Sequence, residues 1–174
     1  AKMQQIPILS LSNFLPIFSL ISVPFLLSFP STAFGCSCAP TKFNESMCVA
    51  KWVSHVKVLQ NTTTTNSHRI FTVRHLEVFK SPNGTAHNDQ LIGKESAVWT
   101  PIFTAACGVR ELDTEKEYLL AGTVDNLGTM QINLCLFIPI EDGQPNAENG
   151  IVEWAKVPEG TKARMANWDD EQCQ

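Results

Sequence analysis

Six cysteines constrain the fold of this chain more than any other feature, and all of them follow residue 35: Cys36, Cys38, Cys48, Cys107, Cys135 and Cys173. An even number of cysteines in a small domain is typical of a disulfide framework formed in an oxidising compartment, so we expect three disulfides. Spacing alone permits about fifteen pairings. A bridge between close neighbours such as Cys36 and Cys38 would close a small, strained ring, which favours pairing of the front three cysteines with the three behind.

The segment before the first cysteine has the composition of a secretory signal peptide. Lys2 precedes a long apolar run over residues 6–34, and the small residues Ala33 and Gly35 occupy the positions that signal peptidase recognises. We therefore expect residues 1–35 to be a signal peptide that is removed, and the mature protein to be secreted and extracellular. Cys36 would then be the N-terminal residue, with a free α-amine.

The alternative for this segment is a membrane-spanning helix, because the apolar run approaches the roughly 20 residues that a bilayer requires. No basic cluster follows the run, and four prolines within it would each remove a helical hydrogen bond: Pro7, Pro16, Pro24 and Pro30. Both observations favour the signal peptide, and we expect no membrane anchor.

Residues 36–174 provide enough chain for one domain with its own core. The formal net charge of the chain is −4, and its Lys and Arg residues do not cluster. Nucleic acids and anionic membranes attract basic patches, so neither is an expected partner. We expect a monomer.

Short apolar segments with β-branched residues predict a mainly β fold with these strands: residues 53–58, 70–78, 96–99, 117–122 and 130–138. About five short strands without a long helical pattern favour a closed or nearly closed small barrel, which leaves no exposed sheet edge.

Composition also predicts the connections between these strands. The threonine-rich residues 61–67 are expected to form the loop of a hairpin, and turn residues occur at 81–84 and 125–128. Weak helical patterns occur near residues 150–155 and 161–168.

No catalytic set is evident. The four histidines lack the spacing of a metal site: His55, His68, His75 and His87. The sequence also has no nucleophile elbow of the form G-x-S-x-G. Disulfides account for every cysteine, which disfavours a thiol nucleophile and also a zinc-thiolate site at Cys36 and Cys38. We expect a protein that is not an enzyme and has no cofactor of its own. Three Asn-X-Ser/Thr sequences are candidate glycosylation sites: Asn44, Asn61 and Asn83.

Several short motifs, taken in order, point to one family: Cys-Ser-Cys-Ala-Pro at 36–40, Trp-Thr-Pro at 99–101, Ala-Cys-Gly-Val at 106–109, Glu-Tyr-Leu-Leu-Ala-Gly at 117–122 and Leu-Cys-Leu-Phe-Ile at 134–138. With a cysteine directly after the signal peptide, they resemble the tissue inhibitors of metalloproteinases over nearly all of residues 36–140. Each motif alone is weakly specific, whereas their joint order is highly specific.

The resemblance implies a single netrin-like domain over residues 36–174, on an OB-type five-stranded closed barrel with short flanking helices. It also implies three disulfides: Cys36–Cys107, Cys38–Cys135 and Cys48–Cys173. In the family, an N-terminal strip, here residues 36–40, and a second segment, here the Cys107 turn at residues 104–107, form a wedge. This wedge enters the active-site cleft of a zinc metalloproteinase, where the α-amine and carbonyl oxygen of Cys36 would chelate the protease's own zinc.

The site residues that the resemblance implies are those of the strip and the turn: Cys36, Ser37, Cys38, Ala39, Pro40, Thr104, Ala105, Ala106 and Cys107. Ser37 is expected to enter the primed specificity pocket beside the zinc. Where the family commonly has an acidic or hydroxyl residue ahead of the cysteine that corresponds to Cys107, this chain has Thr104, Ala105 and Ala106, which offer smaller and less polar contacts.

The expected function is inhibition of secreted or cell-surface zinc metalloproteinases. The alternative is a non-inhibitory netrin-like module that binds matrix, a receptor or a cell surface, because a disulfide framework can persist without its site.

Overall fold

The computed structural model describes residues 36–82, 90–142 and 150–173. The expected signal peptide and the candidate glycosylation site Asn83 lie outside these residues. In the described ranges, no helix has both the length and the apolar character needed to cross a bilayer.

Six strands form the sheet: β1 (Trp52–Thr64), β2 (His68–Lys80), β3 (Glu95–Pro101), β4 (Glu117–Val124), β5 (Met130–Gln131) and β6 (Val152–Glu153). The first five pair in the order β1-β2-β3-β5-β4, and β4 pairs again with β1. This last pairing closes the barrel. The β3–β5 pair is parallel and the other pairs are antiparallel, while β6 adds only to β4. The predicted mainly β, five-stranded closed barrel is therefore confirmed.

Strands β1 and β4 are buried on both faces because each separates two apolar clusters. Alternate residues such as Trp52, Val56 and Leu120 point into the barrel. The residues between them, such as Val53 and Leu119, pack outside the barrel under the helices. Alternation of side chains along a strand places one set in each cluster.

Two α-helices cover the outer cluster: α1 (Phe43–Val49) and α2 (Glu159–Ala166). Three short 3-10 helices lie at Thr104–Ala106, Trp154–Lys156 and Asp170–Cys173. The rings of Phe43 in α1 and Trp168 after α2 meet edge to face at 5.9 Å. The disulfide Cys48–Cys173 ties α1 to the last of the 3-10 helices.

The predicted hairpin is present, but its loop is shorter than expected. Residues 61–64 continue β1, with pairs such as Asn61 opposite Phe71 and Thr64 opposite Arg69. Only residues 65–67 turn, where Thr65 Oγ1 accepts a hydrogen bond of 2.9 Å from the N–H of His68. The threonine-rich composition indicated a loop, yet β-branched threonine suits a paired strand.

Two other predictions near the C-terminal half were wrong in extent. The strand expected over 130–138 ends at Gln131, because the Asn133 side chain accepts hydrogen bonds from the N–H groups of Cys135 and Leu136 and turns the chain. The helix expected near 150–155 is instead β6 and a 3-10 turn, preceded by Gly150 at a φ of 65°. The helix expected over 161–168 corresponds to α2. Helix α1 was not predicted.

Candidate functional site

The N-terminal strip, residues 36–40, has no regular secondary structure and is held by two disulfides. Cys36 is bonded to Cys107 and Cys38 to Cys135, as the resemblance implied. Both strip cysteines are half-buried, whereas Ser37, Ala39 and Pro40 are exposed. The bridges therefore fix the strip on the barrel and leave the side chain between them facing solvent.

The Cys107 turn is a 3-10 turn with a fixed backbone. Cys107 adopts the left-handed conformation, with a φ of 57° and a ψ of 31°, and its N–H donates to the Thr104 carbonyl at 3.0 Å. Its carbonyl in turn accepts a 2.8 Å hydrogen bond from the N–H of Leu134. A side chain at Gly108 would overlap the carbonyl oxygen of Pro101, so only glycine allows the chain to leave the turn in this direction.

Polar contacts, one of them buried, support this turn from the barrel side. Thr100 Oγ1 accepts a 2.8 Å hydrogen bond from the N–H of Val109, and Arg69 Nη1 donates to the Val109 carbonyl at 2.7 Å. The N–H of Ile102 donates to the Ser67 carbonyl at 3.0 Å, which joins the tip of the β1–β2 hairpin to the segment that leads into the turn. Residues on β2 and β3 thus position the turn.

The strip and the turn meet through their sulfur atoms. Cys36 Sγ lies 3.3 Å from Cys135 Sγ, and Cys135 Sγ lies 3.5 Å from Cys107 Sγ. These are contacts between different bridges, so the two disulfides pack directly against each other. None of the six described cysteines is free, and the cluster therefore offers no thiolate to a metal ion of its own.

All nine residues of the predicted site fall in these two segments, which the Cys36–Cys107 bridge joins. Thr104 is half-buried, and Ala105 and Ala106 are exposed. Neither segment contains a charged side chain. The surface they form is therefore small, uncharged and fixed by covalent bonds.

Phe103 is a surface residue of this region that sequence reasoning missed. Its side chain is 64% exposed, and its carbonyl accepts hydrogen bonds from the N–H groups of Ala106 and Gly108. An exposed phenylalanine leaves a large apolar surface in contact with water, and such residues are frequent at binding surfaces. The one signal in the sequence was a phenylalanine between a strand and a bridged cysteine.

The candidate glycosylation sites differ in their surroundings. Asn44 is exposed in the first turn of α1, while Ser46, the third residue of its sequence motif, is buried with its Oγ 2.9 Å from Thr41 Oγ1. Asn61 belongs to β1. Glycosylation at either residue stays a prediction.

Comparison with known proteins supports the resemblance seen in the sequence. Residues 34–143 match the family model described as tissue inhibitor of metalloproteinase. A Caenorhabditis elegans protein named putative metalloproteinase inhibitor tag-225 is 33% identical over 144 residues, which cover 75% of this chain and 85% of that protein.

Two mammalian relatives are similar over a shorter share of their length. Metalloproteinase inhibitor 2 of Canis lupus familiaris is 27% identical over 123 residues, or 65% of this chain and 52% of that protein. The Oryctolagus cuniculus protein of the same name is 29% identical over 113 residues, or 59% of this chain and 54% of its own. The chain spans about half the length of these mammalian relatives. On the strength of the family match and the nematode relative, the chain belongs to the tissue inhibitor of metalloproteinase family.

Proposed function

We propose that this protein is a secreted inhibitor of zinc metalloproteinases and that the α-amine and carbonyl oxygen of Cys36 chelate the zinc of the target protease. The observation that carries the proposal is the double tether of the N-terminal strip, in which Cys36 and Cys38 are both bonded to the barrel and Ser37 stands exposed between them. The names of the relatives, all metalloproteinase inhibitors, supply the class of target.

The chemistry of an N-terminal amine suits this task. A catalytic zinc site has three protein ligands and keeps one position open for water, which an amine and its neighbouring carbonyl displace as a five-membered chelate. The reference pKa of an α-amine is about 8, so an appreciable neutral fraction exists at physiological pH, whereas a lysine amine at about 10.4 offers its lone pair far less often.

The tether also lowers the cost of binding. Two disulfides and the fixed φ of Pro40 restrict the strip before it meets a protease, so less conformational entropy is lost on association. Ser37 would enter the primed pocket next to the zinc, with Thr104, Ala105 and Ala106 on the other side of the wedge. Because neither segment is charged, contacts there depend on shape more than on ion pairs.

Zinc chelation requires that signal peptidase cuts between Gly35 and Cys36, since a residue attached to Cys36 converts its amine into an amide without a basic lone pair. N-terminal sequencing of the secreted protein tests this step. A sequence that begins at Cys36 is expected, and any retained residue in fully active material excludes the mechanism.

Addition of one alanine before Cys36 tests the mechanism itself. We expect the inhibition constant against a zinc metalloproteinase to rise by about 1,000-fold or more, because the ligand is lost and the strip is displaced from its register. The matched control adds one alanine after Gln174 and should inhibit like the parent protein, and circular dichroism should be native for both.

Two results would contradict the proposal in different ways. Unchanged inhibition after the N-terminal addition would remove chelation by Cys36. No inhibition of any zinc metalloproteinase by correctly processed protein would favour the alternative, a netrin-like extracellular binding module.

A further inference from the structure

We propose that Cys36, Cys38, Cys107 and Cys135 form a single thiol-reactive site, at which a small monothiol exchanges the two disulfides for a Cys36–Cys38 and a Cys107–Cys135 bridge. The ligand class is a low-molecular-weight thiol of the glutathione type. The exchange would detach the N-terminal strip from the barrel without net oxidation or reduction.

The contacts between the sulfur atoms favour this particular exchange. Cys36 Sγ lies 3.7 Å from Cys38 Sγ, and Cys107 Sγ lies 3.5 Å from Cys135 Sγ, so both new bridges join atoms that already touch. The other possible exchange would pair Cys36 with Cys135, whose sulfurs are 3.3 Å apart, and Cys38 with Cys107. The sulfurs of Cys36, Cys107 and Cys135 all lie within 4.8 Å of one another, but Cys38 does not belong to this group. The distance between Cys38 and Cys107 therefore disfavours the other exchange.

The four cysteines are open to a small reagent, and the arrangement of their sulfurs sets them apart from the third bridge. All four cysteines are half-buried rather than enclosed, so a small thiolate can reach their sulfurs. Cys48 in α1 and Cys173 are bonded to each other on the helical side of the fold, and Cys173 is exposed, so an external thiol can reach this bridge as well.

The exchange proceeds in three balanced steps. A small thiolate attacks Cys107 Sγ, forms a mixed disulfide there and releases Cys36 as a thiolate. Cys36 then attacks Cys38 Sγ, which breaks the Cys38–Cys135 bond and releases Cys135 as a thiolate. Cys135 attacks Cys107 Sγ and returns the small thiolate to solution. Each internal attack is intramolecular, which raises its rate over attack by a second external thiol once the released side chain has rotated into line with the bond that breaks.

The effect on inhibition rests on the proposed function, whereas the exchange of bonds does not. With Cys36 bonded only to Cys38, no covalent bond would hold the N-terminal strip beside the Cys107 turn, and the α-amine would lose its fixed position. The strain of so small a ring favours return to the original pairing, so the change is reversible.

Disulfide mapping tests the exchange. The folded secreted protein is incubated with reduced glutathione at about pH 8, near the ordinary thiol pKa. Free thiols are then blocked with N-ethylmaleimide under acidic conditions, and peptides are mapped by mass spectrometry without reduction. We expect the peptide linked through Cys107 and Cys135 to increase at least about tenfold over a sample without thiol. The Cys48–Cys173 bridge serves as the internal control: glutathione can cap its exposed Cys173, but neither cysteine should be found in a new pair with another cysteine.

A variant without the second bridge, Cys38→Ser with Cys135→Ser, provides the matched comparison. Its Cys36–Cys107 bridge has no internal partner, so the same treatment should leave glutathione or maleimide on these two cysteines. Should the variant not fold, mapping of the unaltered protein decides the question alone. The proposal is overturned if the treated protein contains nothing but native pairs and capped cysteines. It is also overturned if a Cys38–Cys107 pair forms in place of Cys107–Cys135.

Inhibition is measured on the same samples. The exchanged form, separated by chromatography, should have an inhibition constant at least about 100-fold above that of untreated protein. If untreated protein does not inhibit, the proposed function fails while the mapping still decides whether the bonds exchange.

Discussion

Lys80 Nζ lies 3.0 Å from a carboxylate oxygen of Asp170 and donates a 2.8 Å hydrogen bond to the carbonyl of Met47. The Lys80 side chain is only 9% exposed, while that of Asp170 is 32% exposed. The same aspartate oxygen accepts a 3.1 Å hydrogen bond from the Trp168 indole. This ion pair therefore joins the end of β2, helix α1 and the C-terminal 3-10 helix, next to the Cys48–Cys173 bridge.

Loss of Asp170 should destabilise the fold more than loss of Lys80. Asp170→Ala leaves a buried ammonium without its counter-charge, and we expect the free energy of unfolding to fall by about 3 kcal/mol. Lys80→Met removes the buried charge itself and leaves a partly exposed carboxylate, which should cost about 1 to 2 kcal/mol. Urea unfolding followed by circular dichroism measures both.

The exposed cross-strand pair Arg74–Glu95, with a 2.8 Å contact, supplies the control for these variants. Glu95→Ala should change stability by less than about 1 kcal/mol, because exposed ion pairs contribute little. An equal loss in Glu95→Ala and Asp170→Ala would show that burial of Lys80 does not matter.

Stability should also fall at acidic pH because of a histidine inside the fold. His75 is fully buried on β2, its Nε2 lies 3.1 Å from Ser96 Oγ, and its Nδ1 has no hydrogen-bond partner among the described residues. Burial lowers the pKa of His75 from 6.5 to about 4. Between these two values the unfolded chain binds a proton that the folded chain does not, so stability decreases as pH falls from 6.5 to 4.

The size of this effect follows from the pKa difference and is roughly 3 kcal/mol when the pH falls from 7 to 4. His75→Leu, which has no titrating group at this position, should lack this part of the pH dependence. Urea unfolding at several pH values measures the difference between the two proteins. Parallel curves for the two proteins would exclude His75 as the cause.

The sequence predicted the barrel well where the pattern of apolar side chains decides the structure. It predicted the structure less well where one side chain decides where a strand ends. Strand β3 was identified because alternate residues face the barrel interior, and β4 because its residues supply both apolar clusters. The strand expected over 130–138 ended early because one side chain, Asn133, captures two backbone N–H groups, which no periodicity reveals. Helix α1 spans seven residues, too few to show a clear helical period.

The candidate site was likewise predictable from the sequence only in part. Cysteine spacing left the pairing open, and the resemblance carried by the motifs supplied the two bridges that hold the strip and the Cys107 turn. That these residues contact a protease stays a prediction. The exposure of Phe103 could not be predicted, since it depends on the direction in which the chain leaves β3. The close approach at Gly108 depends on the position of Pro101, which only the folded chain fixes.

Phe103 should contribute to inhibition but not to stability. Its side chain is 64% exposed and adjoins the Cys107 turn, so Phe103→Ala should change the free energy of unfolding by less than about 0.5 kcal/mol. If the wedge binds as proposed, the same change should weaken inhibition about tenfold, because an aromatic side chain at an interface buries a large apolar area.

Leu127 is the matched control for this variant, since it is 91% exposed and lies in the β4–β5 turn outside the strip and the Cys107 turn. Leu127→Ala should leave the inhibition constant unchanged. Equal effects of the two variants, measured against the same protease with thermal melts in parallel, would remove Phe103 from the contact surface.

Ser37 should control which proteases are inhibited, because it is exposed between two bridged cysteines and would reach the primed pocket. Ser37→Gly removes that side chain and adds backbone freedom, each worth on the order of 1 kcal/mol of binding, so inhibition should weaken across all targets.

Ser37→Arg should be rejected by shallow pockets and accepted by deep ones, which would change the ranking of proteases, since specificity is a difference between affinities. The measurement is a set of inhibition constants for both variants against several zinc metalloproteinases. Thermal melts should stay near those of the parent protein, because the side chain is exposed. Small and equal shifts across the whole set would place Ser37 outside the contact.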